Sequence, residues 1–359
     1  LNAWDDWLAS SYLRIGDTSG LRRLSGTIGD AFSTKLDGSS RCAFDASLPR
    51  AEAIYLTVTA WPQGMTSLFR NLRALRSLCL TSLTAEPNGI PPHGLWRSLS
   101  GATKLDHLEI RNLPDLPALD PAQIPPASLP SLRRVAISHC SGLLEKPDTW
   151  AFLAGLPNLT DLDVDATAGI MSTAASVFGA MADAEDAPPR RAELRKVSLF
   201  GHCNPNMFAR ARDASDPDYA PFLSRCAELR ELRISNRRGV DCTCLAALPR
   251  PELLHTLYVE VPSNVTVPEI ASRIGIFERL RHLQLEFASE RRPDNTAIVD
   301  VLVALAEKCP LLRTVRIKPG PPLRPMGSTA PATACPPKWT THRVWHGEVW
   351  AREMAIDLA

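Results

Sequence analysis

Residues 280–285 read Leu280-Arg281-His282-Leu283-Gln284-Leu285, and the spacing of the three leucines in this stretch decides the fold. The same L-x-x-L-x-L frame, with Leu, Val or Ile at its second and third apolar positions, starts at eight further places: Leu75, Leu105, Leu132, Leu159, Leu194, Leu229, Leu254 and Leu312. Successive frames begin 25 to 35 residues apart. A short frame that recurs at this period predicts a chain of stacked, similar units.

The last three residues of each frame alternate apolar and polar, which is typical of a short strand with one buried face. One such strand cannot bury its leucines alone, whereas stacked neighbours form a parallel sheet that the returning segments cover. The sequence therefore predicts an α/β fold, a leucine-rich-repeat solenoid shaped like a horseshoe. Its parallel β-sheet lies on the concave face, and its helices and loops lie on the convex face.

Several returns carry apolar residues at helical spacing and polar residues that can cap a helix. We expect helices opened by Asp148, by Asp216-Pro217, by Thr266-Val267-Pro268 and by Asn295. The stretch from Leu113 to Pro130 holds six prolines, so we expect a loop there in place of a helix.

The ends of the chain depart from the repeat. We interpret residues 1–50 as an N-terminal cap or degenerate repeats, and residues 51–320 as the repeat domain. Residues 321–359 are a Pro-rich linker followed by a segment that contains Trp339, Trp345 and Trp350. That segment is either a hairpin that caps the last repeat or a peripheral tail.

Composition excludes several functions. The net charge of +1 gives no global attraction to nucleic acid or to an anionic membrane. No apolar run approaches the roughly 20 residues that span a bilayer. The chain contains no G-x-S-x-G, Walker loop, H-E-x-x-H or dinucleotide-binding glycine pattern. We therefore expect neither an enzyme nor a cofactor.

Several of the nine cysteines occupy repeat positions. Cys140, Cys226 and Cys309 occupy fixed places relative to their frames, as small buried apolar residues do. This placement and the odd count favour a reducing compartment, cytoplasmic or nuclear, and disfavour an extracellular ectodomain. Cys242 and Cys244 are a weak candidate for a metal or redox pair, because no partner cluster accompanies them.

Two frames extend to C-x-x-L-x-x-L-x-L: residues 226–234 read CAELRELRI and residues 309–317 read CPLLRTVRI. This longer frame resembles the cysteine-containing class of leucine-rich repeats, and residues 50–320 resemble the repeat portion of a fungal-type F-box/leucine-rich-repeat protein. In that family an F-box docks on the Skp-like adaptor of a cullin ubiquitin ligase, and the repeats hold the substrate. Residues 1–50 show no L-P-x-E opening of an F-box, so we expect one upstream of Leu1 or none at all.

The polar residues that alternate with the buried leucines predict the binding surface. On this concave face we expect a protein substrate or regulatory protein to contact Asp161, Asp163, Asp165, Phe200, Arg233, Tyr258, Gln284 and Arg316. Phe200 and Tyr258 are either exposed aromatic anchors or rings that pack on a neighbouring repeat.

The aspartate row, Asp161, Asp163 and Asp165, has three interpretations. We favour a solvated face with cross-strand charge pairs over an acidic patch for a basic peptide. A hard-cation site is disfavoured, because calcium usually takes six or more oxygens. An arginine also follows the first leucine of many frames, at Arg76, Arg133, Arg195, Arg230, Arg281 and Arg313. We interpret these arginines as solvated edge positions.

Two functions remain open for such a chain. The first is substrate recognition for a cullin-type ubiquitin ligase, with an Skp-like adaptor as a further partner. The second is a scaffold or regulatory repeat protein without a ubiquitin link. Neither function involves nucleic acid or a membrane.

Overall fold

The computed structural model describes residues 22–28, 50–59, 61, 72–82, 94–183, 193–201, 218–236, 240, 242–262, 265–287, 303–305, 307–318, 341–346 and 349–357. The chain divides into two compact units. The first unit comprises Leu1–Asp165 and Gly169–Glu193, and the second comprises Ala166–Ala168 and Leu194–Ala359. Both units have an α/β fold with a parallel sheet, as predicted.

The first unit contributes six strands, each parallel to the next: β1 (Arg23–Ile28), β2 (Ala53–Val58), β3 (Ser77–Thr81), β4 (His107–Arg111), β5 (Arg134–Ser138) and β6 (Asp161–Asp165). The last four begin at the third residue of a frame, so the strands predicted at those frames are confirmed. The register aligns equivalent frame positions, with Leu78 opposite Leu108 and Leu80 opposite Ile110.

The second unit contributes five parallel strands: β7 (Lys196–Gly201), β8 (Glu231–Asn236), β9 (Thr256–Val261), β10 (His282–Phe287) and β11 (Thr314–Lys318). Each again starts at the third frame residue. Two further strands, β12 (Thr341–His346) and β13 (Val349–Asp357), form an antiparallel hairpin, and β13 pairs with β11. The tryptophan-containing segment is thus a hairpin on the last parallel strand.

A hydrogen-bond ladder of the main chain precedes the strands. The carbonyl oxygen of the second frame residue accepts two N–H groups from the next repeat, at 2.7–3.1 Å. Arg230 O, for example, accepts from His255 N and Thr256 N, and His255 O accepts from Arg281 N and His282 N. We call the second frame residues the edge column. In the first unit it comprises Arg76, Asp106, Arg133 and Thr160. Arg22 and Glu52 belong to no frame but are included, because they precede β1 and β2 and their carbonyls accept the same pair of N–H groups. In the second unit it comprises Arg195, Arg230, His255, Arg281 and Arg313.

The returns between strands include six helices: α1 (Leu95–Ser98), α2 (Ser141–Leu144), α3 (Pro147–Gly155), α4 (Ala168–Asp183), α5 (Ala220–Leu223) and α6 (Val267–Ile274). Four 3-10 turns occur at Leu99–Gly101, Pro126–Ser128, Cys242–Ala247 and Pro251–Leu253. Residues 303–305 and 307–308 are also helical.

Helix α6 forms as predicted. Thr266 and Glu269 make a reciprocal capping box, which satisfies N–H groups at the helix start. Ile270, Ile274 and the following Phe277 are fully buried.

Helix α3 differs in one detail from the prediction. Pro147 takes its first position and Lys146 precedes it, so the prediction that Asp148 opens the helix is wrong. Proline suits the first helical position because it lacks an N–H that would need a partner there. The other two predicted starts, at 216–217 and at Asn295, lie outside the described residues.

The prediction of a loop over residues 113–130 is confirmed. Apolar side chains at intervals along this loop are buried: Leu113, Leu116, Leu119, Ile124 and Leu129. The Trp96 indole N–H donates to the carbonyl of Pro117 at 2.8 Å, and the N–H of Leu119 donates to the hydroxyl of buried Thr149 at 3.1 Å. The loop therefore covers the first unit's core as a helix would, with single side chains as anchors.

We predict that Gly142→Ala destabilises the protein, by roughly 1–3 kcal/mol, because the added methyl group would clash with the carbonyl oxygen of Pro114. Gly169→Ala in α4 is the matched control, since its methyl group meets nothing within 4 Å. The control should be neutral or stabilising by up to about 1 kcal/mol. Urea unfolding of both variants tests the contrast, and a shift of both in the same direction would contradict it.

Candidate binding surface

The side chains between the buried leucines lie in register on one face of the sheet, which we call the open face. In the second unit its central row runs Ser198, Arg233, Tyr258, Gln284 and Arg316 on five adjacent strands. In the first unit the equivalent row runs Tyr55, Cys79, Glu109, Ala136 and Asp163. The predicted rows are therefore present within each unit.

An arginine held between two aromatic rings dominates the open face of the second unit. The guanidinium carbon of Arg233 lies 4.9 Å from the centroid of the Phe200 ring and 4.4 Å from that of Tyr258. Both distances are within the range of cation–π attraction. Arg233 nevertheless remains exposed. We call Phe200, Arg233 and Tyr258 the arginine clamp.

Tyr258 is not the exposed anchor that one interpretation expected. Only 8% of the residue is exposed, because Arg233 lies over its ring. Its hydroxyl donates a hydrogen bond to Glu286. Burial, and then the hydrogen bond to the Glu286 carboxylate, raise the pKa of Tyr258 well above its ordinary value. The ring of Tyr258 therefore packs on a neighbouring repeat, which was the alternative interpretation. Phe200 is half-buried.

Acidic side chains occupy the next row of the same unit. Glu260 is 8% exposed and accepts a hydrogen bond from the Ser235 hydroxyl at 2.6 Å. Glu286 is half-buried and accepts from Tyr258. These two carboxylates hold the side chains of Ser235 and Tyr258, and Arg233 beside them is exposed.

The structure brings five of the eight predicted binding residues together. Phe200, Arg233 and Tyr258 form the clamp, and Gln284 and Arg316 continue its row on the next two strands. Gln284 is half-buried and Arg316 is exposed. The three aspartates lie in the other unit, on β6.

The aspartate row is not a uniform exposed patch. Asp161 and Asp163 are half-buried, but Asp165 is only 7% exposed and its carboxylate accepts the backbone N–H of His139. His139 has a positive φ of 55°, so this contact stabilises an uncommon turn. Asp165 is therefore largely enclosed within its own unit, and its contact with a partner stays a prediction. In the described part of the chain, no group of three or more His, Cys, Asp or Glu side chains could hold a metal ion.

The cysteines behave as core residues. The described cysteines are free thiols, and Cys140, Cys226, Cys242, Cys244 and Cys309 are buried. Burial raises the pKa of Cys140 and of Cys226 to about 12. Cys79, on the open face of the first unit, is half-buried, and burial followed by the charge of Glu109 raises its pKa to about 11. Thiols with such pKa values are poor nucleophiles at neutral pH.

No protein-family model matches the chain, and no curated protein matches it significantly. Among the described residues, no helix has the length and apolar character needed to cross a membrane.

Sequence reasoning missed the two hydrogen bonds that surround the clamp, from Tyr258 to Glu286 and from Ser235 to Glu260. It also missed the contact of Arg233 with both rings. The signal was present in the frames, because positions 200, 233 and 258 fall on three successive strands. To predict the contact of Arg233 with both rings, the orientation of the arginine side chain was also needed, and the local sequence does not specify it.

We predict that Tyr258→Phe changes how stability depends on pH. At pH 8 the variant should be less stable by about 1 kcal/mol, since it lacks the hydrogen bond to Glu286. The raised pKa in the folded protein means that the unfolded chain ionises first, so wild-type stability falls as the pH rises above about 10. Phenylalanine does not titrate, so the deficit should shrink between pH 9 and pH 11. A constant deficit in urea midpoints would refute this prediction.

Proposed function

We propose that this chain is a leucine-rich-repeat protein that binds another protein on its open face, and that the arginine clamp is the centre of the contact. The observation that carries the proposal is the guanidinium of Arg233, held between Phe200 and Tyr258 yet exposed. In a solenoid of this kind the open face is the concave one, which offers an extended surface to a partner.

The stacking of Arg233 between two rings favours binding through both entropy and geometry. A free arginine side chain loses rotamer freedom when it contacts a partner, whereas one already stacked between two rings loses less. Its planar fork of donors suits a carboxylate or several main-chain carbonyl groups. Arginine and tyrosine are enriched among the residues that contribute most to protein–protein affinity.

The repeat architecture supports the leucine-rich-repeat assignment. In each unit the frame leucines are buried, and the same main-chain carbonyl accepts the same pair of N–H groups from the next repeat. Units that contact mainly their neighbours are the defining feature of solenoid proteins.

We predict that Arg233→Ala abolishes capture of the principal protein partner by the full chain, measured by quantitative affinity purification against wild type. Arg233→Lys should also weaken capture, because an ammonium group keeps the charge but loses planar stacking and the bidentate fork. The matched control is Arg97→Ala on α1, which removes an exposed arginine away from the open face. A partner that survives Arg233→Ala, or is lost equally from the control, would contradict a role for the clamp.

We propose more narrowly that this chain recognises the substrate of a cullin-type ubiquitin ligase. Two frames match the cysteine-containing repeat in full, and their cysteines, Cys226 and Cys309, are buried. Free thiols at the described cysteines are compatible with the reducing cytoplasm or nucleus, where such ligases act. In this proposal the open face holds the substrate and an F-box recruits the Skp-like adaptor. The alternative is a scaffold or regulatory protein that uses the same face without the adaptor.

We predict that the gene product, expressed from its own start codon, retains a purified Skp-like adaptor stoichiometrically in a pulldown. Deleting everything before residue 50 should abolish retention, while Arg233→Ala should leave it unchanged, because the adaptor and the substrate use different surfaces. Folded protein that fails to retain the adaptor would exclude the ligase proposal and leave the scaffold alternative.

A further inference from the structure

The edge column differs in charge between the two units. In the first unit basic and acidic residues alternate along it, and Arg22 lies 3.9 Å from Glu52. Asp106 lies 4.0 Å from Arg133 and 3.2 Å from the neighbouring Arg134. Cross-strand ion pairs of Glu52 and Asp106 therefore offset two of the three arginine charges in the column of the first unit.

In the second unit every residue of the column is basic: Arg195, Arg230, His255, Arg281 and Arg313. The main-chain ladder joins each of these residues directly to the next, so the order along the sheet is certain. Among the residues that the structure describes, Arg230, Arg281 and Arg313 form no ion pair, and all three are exposed. Nearby carboxylates have other partners.

Two of these carboxylates, Glu231 and Glu228, pair with basic residues outside the column. Glu231, next to Arg230 in sequence, lies 3.0 Å from Lys196 on the preceding strand. Glu228 lies 2.7 Å from Arg250. The guanidinium groups of Arg230, Arg281 and Arg313 therefore have no ion-pair partner among the described residues.

The electrostatic environment of His255 supports this description. His255 lies between Arg230 and Arg281 in the column, and Arg279 lies close by in the preceding turn. Burial first, and then the charges of Arg281, Arg230 and Arg279, lower the pKa of His255 below its ordinary value. Arg281 and Arg313 lie on adjacent strands, and like charges on adjacent strands oppose folding, so this pair contributes nothing evident to stability.

We propose that the edge column of the second unit binds an acidic peptide segment of a partner protein, laid across the strand starts. Neighbouring strands are about 4.8 Å apart, so the five positions span roughly 19 Å, the length of about six extended residues. Carboxylates along such a segment would face Arg230 on one side of His255 and Arg281 and Arg313 on the other, and carboxylate–guanidinium pairing is the one that arginine forms best.

A peptide fits better than a single-stranded nucleic acid. Proteins that bind single strands without sequence preference add aromatic platforms on which bases stack. The strand residues next to the column are Lys196, Glu231, Thr256, His282 and Thr314, which include no Phe, Tyr or Trp. The nearest rings, Phe200 and Tyr258, lie further along their strands and already contact Arg233.

The test measures fluorescence anisotropy of labelled probes with the full chain. The probes are a Glu-rich peptide of about ten residues, somewhat longer than the column at ~3.3 Å per residue, its Gln-for-Glu counterpart, and an oligouridine of similar length. We expect the Glu-rich peptide to bind at least tenfold more tightly than the Gln peptide, with affinity that falls as salt rises.

The decisive variant is Arg230→Glu/Arg281→Glu/Arg313→Glu, which should reduce peptide affinity about tenfold or more. The matched control, Arg22→Glu/Arg76→Glu/Arg133→Glu, makes the same charge change at the same frame position in the first unit and should retain binding. If charge reversal unfolds the second unit, as circular dichroism would show, Arg230→Gln/Arg281→Gln/Arg313→Gln replaces it.

Three outcomes would overturn the proposal: equal binding of the Glu and Gln peptides, equal loss in the control, or tighter binding of oligouridine through the same arginines. Arg233 is unchanged in every variant, so the test is independent of the arginine clamp. Failure here leaves the proposed open-face function standing, and failure of Arg233→Ala leaves this site standing.

Discussion

The main-chain carbonyl that accepts two N–H groups from the next repeat is the constraint on which the structure depends. It lies one residue before each strand, and it fixes where the next strand starts. A slip of one residue would move every frame leucine to the open face, so the buried leucines and the ladder require the same register. Because these bonds use only backbone atoms, the ladder itself does not restrict which side chain stands at this position. That freedom explains why the edge column can carry alternating charges in one unit and only basic residues in the other.

The charge on the open face of the second unit changes from the strand starts to the strand ends. Basic residues stand at the strand starts, the arginine clamp occupies the middle, and Glu260 and Glu286 lie towards the strand ends. The two carboxylates are hydrogen-bonded to Ser235 and Tyr258, whereas the arginines at the starts are exposed. A partner with an acidic segment is thus attracted to one side of the clamp and not to the other, which orients it on the face.

The frames were sufficient to predict β3 to β11, their parallel order and their buried leucines, because these follow from a periodicity that the sequence repeats nine times. The start of α6 could also be predicted, because Thr266 and Glu269 are close in sequence and satisfy each other's backbone groups. The burial of Asp165 and Tyr258 could not be predicted in this way. Their burial depends on groups from other repeats, the His139 N–H and the Arg233 side chain, and no local pattern specifies such contacts. The predicted binding residues therefore lie on the expected rows of the sheet, but the exposure of each side chain could be seen only in the structure.

The loop over residues 113–130 closes its repeat without a helix, and its prolines at 114, 117, 121, 125, 126 and 130 have a thermodynamic consequence. Each proline restricts φ in the denatured ensemble as much as in the native state, so less conformational entropy is lost when the loop becomes ordered. A glycine-rich return of the same length would lose far more. Burial of the leucines therefore has to offset a smaller loss of conformational entropy than in a flexible segment. Part of the first unit's stability comes from this restriction of the unfolded chain.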